Sequence, residues 1–327
     1  MERINPTDIL DVRFSEYVAE RRLIIDAHME MGIPDYAYGS DYVLRQKIKA
    51  IPGAYGLAKA IANHMVPKKK QEMNLKALKV GPDQFPDIYK MAVDCAKTLG
   101  IGIPTVFIEN DIRINAFTMA TEDESPIIVF TSGLIERFTP GEIKYVMGHE
   151  CGHIHNNHGI YNIVAVLIIN AGLIGGSIAL PVIIPLLNAL TIPLQLAIQT
   201  WSRAAEVSCD RAGIICSDDM NDVISATAKF LYGGTFNRSD INIDALMKQY
   251  EQIRQTPVRL MEIDSTHPVP VRRIFAAKEF MDSEVLYKWR PEWKQPDMNL
   301  ISKQELDLRC NTIISVTKGK KKRGINS

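Results

Sequence analysis

The stretch Gly148-His149-Glu150-Cys151-Gly152-His153 decides how this chain is read. It has the form His-Glu-x-x-His inside a run of helical spacing. Residues four apart on an α-helix share a face, so the imidazoles of His149 and His153 can converge on one ion. Glu150, one position after the first histidine, can reach a water at that ion without occupying a coordination position. Two neutral imidazoles suit zinc, which lowers the pKa of a bound water to about 7. By average residue frequencies such a match arises by chance in about one chain in a hundred of this length. The bland alternative is a chance match on a surface helix, so the flanking sequence must supply the remaining parts of a site.

Immediately upstream, Thr139-Pro140-Gly141-Glu142 forms a helix start: Thr as N-cap, Pro in the first turn, an acid soon after. Before it lie three strand-like runs, Thr105–Ile108, Asn115–Met119 and Pro126–Thr131, separated by Asn110-Asp111 and Glu122-Asp123-Glu124. Asp87 to Leu99 reads as an amphipathic helix ended by Gly100 and Gly102. Three strands among helices predict a small sheet flanking a helical core.

Downstream, no Lys, Arg, Asp or Glu occurs between Glu150 and Arg203. Residues 160–180 and 182–200 are two mostly apolar runs, each near the length that crosses a bilayer as a helix. A membrane-inserted hairpin and a hairpin buried in, or lying against, a soluble fold both stay open. Asn162, Asn170, Asn188, Gln195 and Gln199 would each need a partner in hydrocarbon, and Pro185 and Pro193 interrupt the second run.

Trp201 to Gly213 is again helical, and it places Glu206 and Asp210 on one face. A carboxylate there can act as third protein ligand, and a second one a turn away can accept the other N–H of a ligating histidine. His155 and His158 read as helix-end or surface histidines, because a metzincin pattern would need Gly at 156 and His at 159, where this chain has Asn156 and Gly159. Cys151 and Cys209 neighbour motif positions, but their helical spacing points them off the metal face. Further on, helices are expected over 219–233 and Ile243–Ile253, followed by Asp264-Ser265-Thr266-His267-Pro268 and Arg272-Arg273. His267 or Arg273 near a metal could hold the oxyanion of a tetrahedral intermediate.

The bulk numbers narrow the class. The 327 residues are 46% hydrophobic and 23% charged with net charge +0, an ordinary globular balance with no general pull toward nucleic acid. Five scattered cysteines (Cys95, Cys151, Cys209, Cys216, Cys310) without a Cys-x-x-Cys pair argue for a reducing compartment. The N-terminal residues carry charges throughout and no signal-peptide apolar core, so a cytoplasmic protein that is not secreted is expected. Lys68-Lys69-Lys70 reads as a solvated linker face, and the cluster Lys318, Lys320-Lys321-Lys322-Arg323 as a solubilising end.

The ordered succession Ile103-Pro104-Thr105-Val106, Asn115-Ala116-Phe117, Val129 to Leu134, Gly148 to His153, then Ser202-Arg203 with Glu206-x-x-x-Asp210-Arg211-Ala212-Gly213, resembles family 48 of the zinc metallopeptidases. These gluzincins include HtpX-like quality-control proteases and the CAAX prenyl proteases. The resemblance runs from about Val80 to Ile274 and is nearest to small, single-module HtpX-like members. It implies a mostly helical α+β, zincin-like domain at 81–275, between a helical segment at 1–80 and a C-terminal extension at 276–327. It implies one zinc per chain on His149, His153 and Glu206, with Glu150 as general base and Asp210 as support. It also implies a peptide or protein substrate pairing with the strand at Asn115-Ala116-Phe117. Thr266-His267-Pro268 resembles the family's C-terminal His-Pro motif, which can lie over the metal. HtpX-like members carry two spans before the zinc helix; none is found here, so membrane contact would fall to residues 160–200. The rival reading is a non-catalytic or autoinhibited zinc-site scaffold or membrane adaptor. The sequence leaves the physiological substrate and oligomeric state open.

Overall fold

The computed structural model describes residues 14–30, 32–50, 54–121, 125–163, 192–234, 242–254 and 270–315. In chain order these form α1 (Phe14–His28), a two-residue pair β1 (Met29–Glu30) and β2 (Ile33–Pro34), α2 (Gly39–Lys49), α3 (Ala54–Lys76), β3 (Ala77–Lys79), α4 (Pro86–Leu99), β4 (Thr105–Glu109), β5 (Ala116–Met119), β6 (Ile127–Thr131), α5 (Ser132–Arg137), α6 (Pro140–His155), α7 (Ile192–Cys216), α8 (Met220–Tyr232), α9 (Ile243–Arg254), α10 (Pro270–Met281), α11 (Glu284–Trp289) and α12 (Lys303–Ile314). The fold is mostly helical α+β.

The sheet runs in the order β3-β4-β6-β5. β4 and β6 are parallel, while β3 and β5 pair antiparallel on either side. Every residue of β6 is buried, as a central strand of Ile127-Ile128-Val129-Phe130 requires, and β5 forms an edge. β5, an edge strand among the described residues, also lies against α6, so the sheet brings that edge to the His-Glu-x-x-His helix.

α6 begins where its start signals place it. The Thr139 hydroxyl accepts from the Glu142 amide at 3.3 Å and the Glu142 carboxylate accepts from the Thr139 amide at 2.7 Å, a reciprocal capping box. Its partner is α7. Ideal Cβ atoms at Gly148 and Gly152 would stand 2.6 Å from Cys216 Cβ and 2.9 Å from Cys209 Cα. Only glycine at both positions lets the two backbones come this close, and that closeness sets the gap between the histidines of α6 and the carboxylates of α7.

One hydrophobic cluster takes Tyr36 and Tyr38 from before α2, Phe130 and Val146 from the centre, and Phe280, Leu306 and Cys310 from the C-terminal helices. The core thus draws on residues on both sides of the catalytic-region motifs. A second cluster joins Ile48, Ala62 and Val66 to Ile160, Tyr161, Ile163, Ile198 and Trp201. Residues 164–191, most of the expected apolar hairpin, lie outside the described residues. Among those described, no helix is long and apolar enough to cross a membrane. Lys68-Lys69-Lys70 belongs to no linker: α3 continues through Pro67 to Lys76. Burial of Ala62, Val66 and Met73 along it offsets the hydrogen bond that a proline removes. All five cysteines are free and buried.

Candidate metal centre

Two facing helices build the site. α6 carries His149, Glu150 and His153, and α7 carries Glu206 and Asp210, all five buried. The Glu206 carboxylate lies between the two imidazoles, with Oε2 3.5 Å from His149 Nε2 and Oε1 3.7 Å from His153 Nε2. Donor atoms about 2.0–2.1 Å from a tetrahedral zinc stand about 3.3–3.5 Å apart, so both distances to Glu206 are close to those of ligands on a shared ion. The set, two imidazoles and one carboxylate, is also the chemistry such a site needs when a position is kept for water.

The outward face of His149 is fixed. Its Nδ1 lies 2.9 Å from Asp210 Oδ1, so the ring donates there and presents a lone pair at Nε2. Asp210 also accepts from Tyr145 Oη at 2.8 Å and from Arg273 Nε at 2.9 Å. Burial alone would raise the Asp210 pKa, but the Arg273 charge and the bonds from His149 and Arg273 outweigh it and hold the carboxyl below its usual range. Burial likewise pulls His149 down, yet the Asp210 bond and the Glu206 charge leave it raised. Arg273 also reaches Glu206, with Nη1 3.4 Å from Oε2. It is therefore anchored on the two carboxylates of α7. His267 lies outside the described residues.

Glu150 faces the sheet edge. Thr118 Oγ1 donates to Glu150 Oε2 at 2.6 Å, tying the carboxylate to β5. Ala116 and Phe117 are in that strand, and Asn115 precedes it, its carbonyl accepting from the Thr131 amide at 3.0 Å.

A family model for Peptidase family M48 matches residues 82–281. The chain belongs to peptidase family M48. It is therefore a metallopeptidase, a hydrolase of the protease class. It is 27% identical over 253 residues to the plastoglobule-localized metallopeptidase 48 of Arabidopsis thaliana, covering 75% of this chain and 71% of that protein. A protease HtpX homolog of Streptococcus uberis is 36% identical over 81 residues, 25% of this chain and 27% of that one. A crystal structure of S. mikatae Ste24p aligns at TM-score 0.38 with 16% identity, over 72% of this chain and 61% of its own.

Three side chains of this M48 protein sit otherwise than their spacing suggested. His155 and His158 are not surface residues: both are buried, because the segment from Tyr36 through α2 packs over the end of α6. Burial pushes His155 down to about 3, and its Nδ1 meets Tyr36 Oη at 3.0 Å. Nor does Cys209 point away. Donor atoms of His149, His153 and Cys209 lie within 4.8 Å of one another, a consequence of the close helix contact at Gly152. Burial, helped by the Glu206 and Asp41 charges, pushes the Cys209 thiol well up.

Proposed function

We propose that this chain is a zinc-dependent endopeptidase that cleaves protein substrates with Glu150 as its general base. The reading is carried by one observation: the Nε2 atoms of His149 and His153 converge on the Glu206 carboxylate while Glu150 is hydrogen-bonded to Thr118 of β5, the edge strand among the described residues. His149, His153 and Glu206 would hold the ion, and when bound zinc supplies Lewis-acid chemistry, acidifying water and polarising a carbonyl. Glu150 takes the proton of the attacking water and passes it to the leaving amine. The Thr118 hydroxyl orients that carboxylate through Oε2. Asp210 keeps His149 in the tautomer that leaves Nε2 unprotonated, and Arg273 holds Asp210 and Glu206 in register.

A substrate in extended form would add to β5 along Asn115-Ala116-Phe117, recognised through its backbone and passing Glu150. Such pairing tolerates many side chains and lets a polypeptide continue on both sides of the cleaved bond, which suits a protein-degrading role. Residues 160–200 would serve any membrane contact. The test compares zinc stoichiometry and casein hydrolysis in wild type, Glu150→Gln and Glu206→Ala. We expect one zinc per wild-type chain. Glu150→Gln should keep the zinc and lose hydrolysis by about 10²–10⁴-fold. Glu206→Ala should lose zinc. Full zinc occupancy in Glu206→Ala would rule out the ligand set, and wild-type cleavage by Glu150→Gln would rule out the base.

A further inference from the structure

The outer nitrogens of the two histidines are held in different ways. His149 Nδ1 meets a carboxylate directly, whereas His153 Nδ1 lies 3.1 Å from another imidazole, His158 Nδ1. His158 Nε2 in turn lies 3.0 Å from Asp41 Oδ2. Asp41 is on α2, outside the residues 82–281 matched by the family model. It is fully buried and takes three further donors: Ser208 Oγ at 2.7 Å, Trp201 Nε1 at 3.0 Å and Arg45 Nε at 3.1 Å. With four donors aimed at its two oxygens, it has acceptors to offer and no proton.

That end condition fixes the direction of the chain. His158 must place its proton on Nε2 to donate to Asp41, which leaves a lone pair on its Nδ1. Cys209 Sγ lies 3.5 Å from the same Nδ1. His153 then donates from Nδ1, and its Nε2 keeps the lone pair that faces Glu206. Without Asp41, His158 could take the opposite tautomer, present N–H to His153 and drive the His153 proton onto Nε2. That arrangement has no lone pair left for an ion.

We infer that Asp41, acting through His158, positions the His153 imidazole and holds it in its metal-binding tautomer, so that a helix beyond the family-wide region completes the metal centre. This rests on the reading of His149, His153 and Glu206 as a zinc site. The experiment measures zinc affinity by chelator competition, with the visible absorption of the cobalt-substituted protein as a second readout. Asp41→Asn and His158→Phe should each weaken zinc binding by about tenfold or more and shift the cobalt bands. Arg45→Met removes a different donor from Asp41, so it should lower apo-protein stability yet keep the wild-type zinc affinity. Wild-type affinity and bands in Asp41→Asn and His158→Phe would overturn the inference, as would an equal loss in Arg45→Met. If Asp41→Asn does not fold, His158→Phe decides alone, because it leaves the other three donors on Asp41. A wild-type protein that binds no zinc would overturn the zinc reading and this inference with it; zinc in the wild type with unchanged affinity in the variants overturns this inference alone.

Discussion

Thr118 is the smallest group with a direct hold on the proposed chemistry. Its hydroxyl donates to a carboxylate, a bond worth about 1.5–3 kcal/mol because the acceptor is charged. Thr118→Val keeps the shape and removes the donor, so kcat should fall by about tenfold or more while zinc affinity stays at the wild-type value. Steady-state kinetics beside a zinc titration check both halves. Asp41 gives a prediction in pH. Burial would raise its pKa, but the His158, Arg45 and Ser208 contacts outweigh that and hold it well below the ordinary value. A folded pKa below the unfolded ~3.9 means that its stabilisation is fully present above about pH 4 and is lost as pH falls through the folded value. In chelator, Asp41→Asn should therefore unfold at lower urea than wild type at pH 7, with a shallower loss of stability below about pH 4. At this scale the shared faces of His149 with His153 and of Glu206 with Asp210 follow from a helical spacing of four, and the carboxylate pair takes its meaning from lying downstream of the His-Glu-x-x-His helix. Thr118 and Asp41 were not: they meet their partners across 32 and 117 positions, and no local period marks such a pairing.

The contact between α6 and α7 sets the geometry of the centre, and Gly152 is where it can be tested. A methyl there would stand 2.8 Å from Ala212 Cβ and 2.9 Å from Cys209 Cα, inside any real contact distance. Gly152→Ala should force the helices apart, at a cost of about 1–3 kcal/mol in denaturant unfolding and with weaker zinc binding in the folded protein. Unchanged zinc affinity would mean that the helix spacing is not what fixes the ligands. Helix and strand positions near the site were largely readable: the Thr139 to Glu142 start, the helix ending at Leu99 and the three strands from Thr105 to Thr131 all fall within a residue or two of expectation. β3 was missed because Ala77-Leu78-Lys79 is too short to show alternation, and its pairing with β4 supplies the order. α3 runs on through Lys68-Lys69-Lys70, which look like a linker after Pro67, because tertiary burial overrides that local signal.

Across the described residues, α7 serves as the beam that joins the segment at Tyr36 to α12. One face carries Glu206 and Asp210 toward α6. Arg211, buried beside them, donates to the Tyr36 carbonyl at 2.9 Å and to Asp307 Oδ1 at 2.9 Å, and Lys303 reaches Asp307 at 2.7 Å. Arg211→Met removes a buried charge that two distant segments share, and should cost about 3–5 kcal/mol in urea unfolding. A loss below about 1 kcal/mol would mean that the hydrophobic cluster alone holds these two segments. The bond to Asp307 also has a consequence in time. During synthesis, Arg211 leaves the ribosome almost a hundred residues ahead of its carboxylate partner, 96 positions later. Until α12 emerges, the helix carrying Glu206 and Asp210 is without its bond to Asp307. The completed contact thus depends on one of the latest segments to be made.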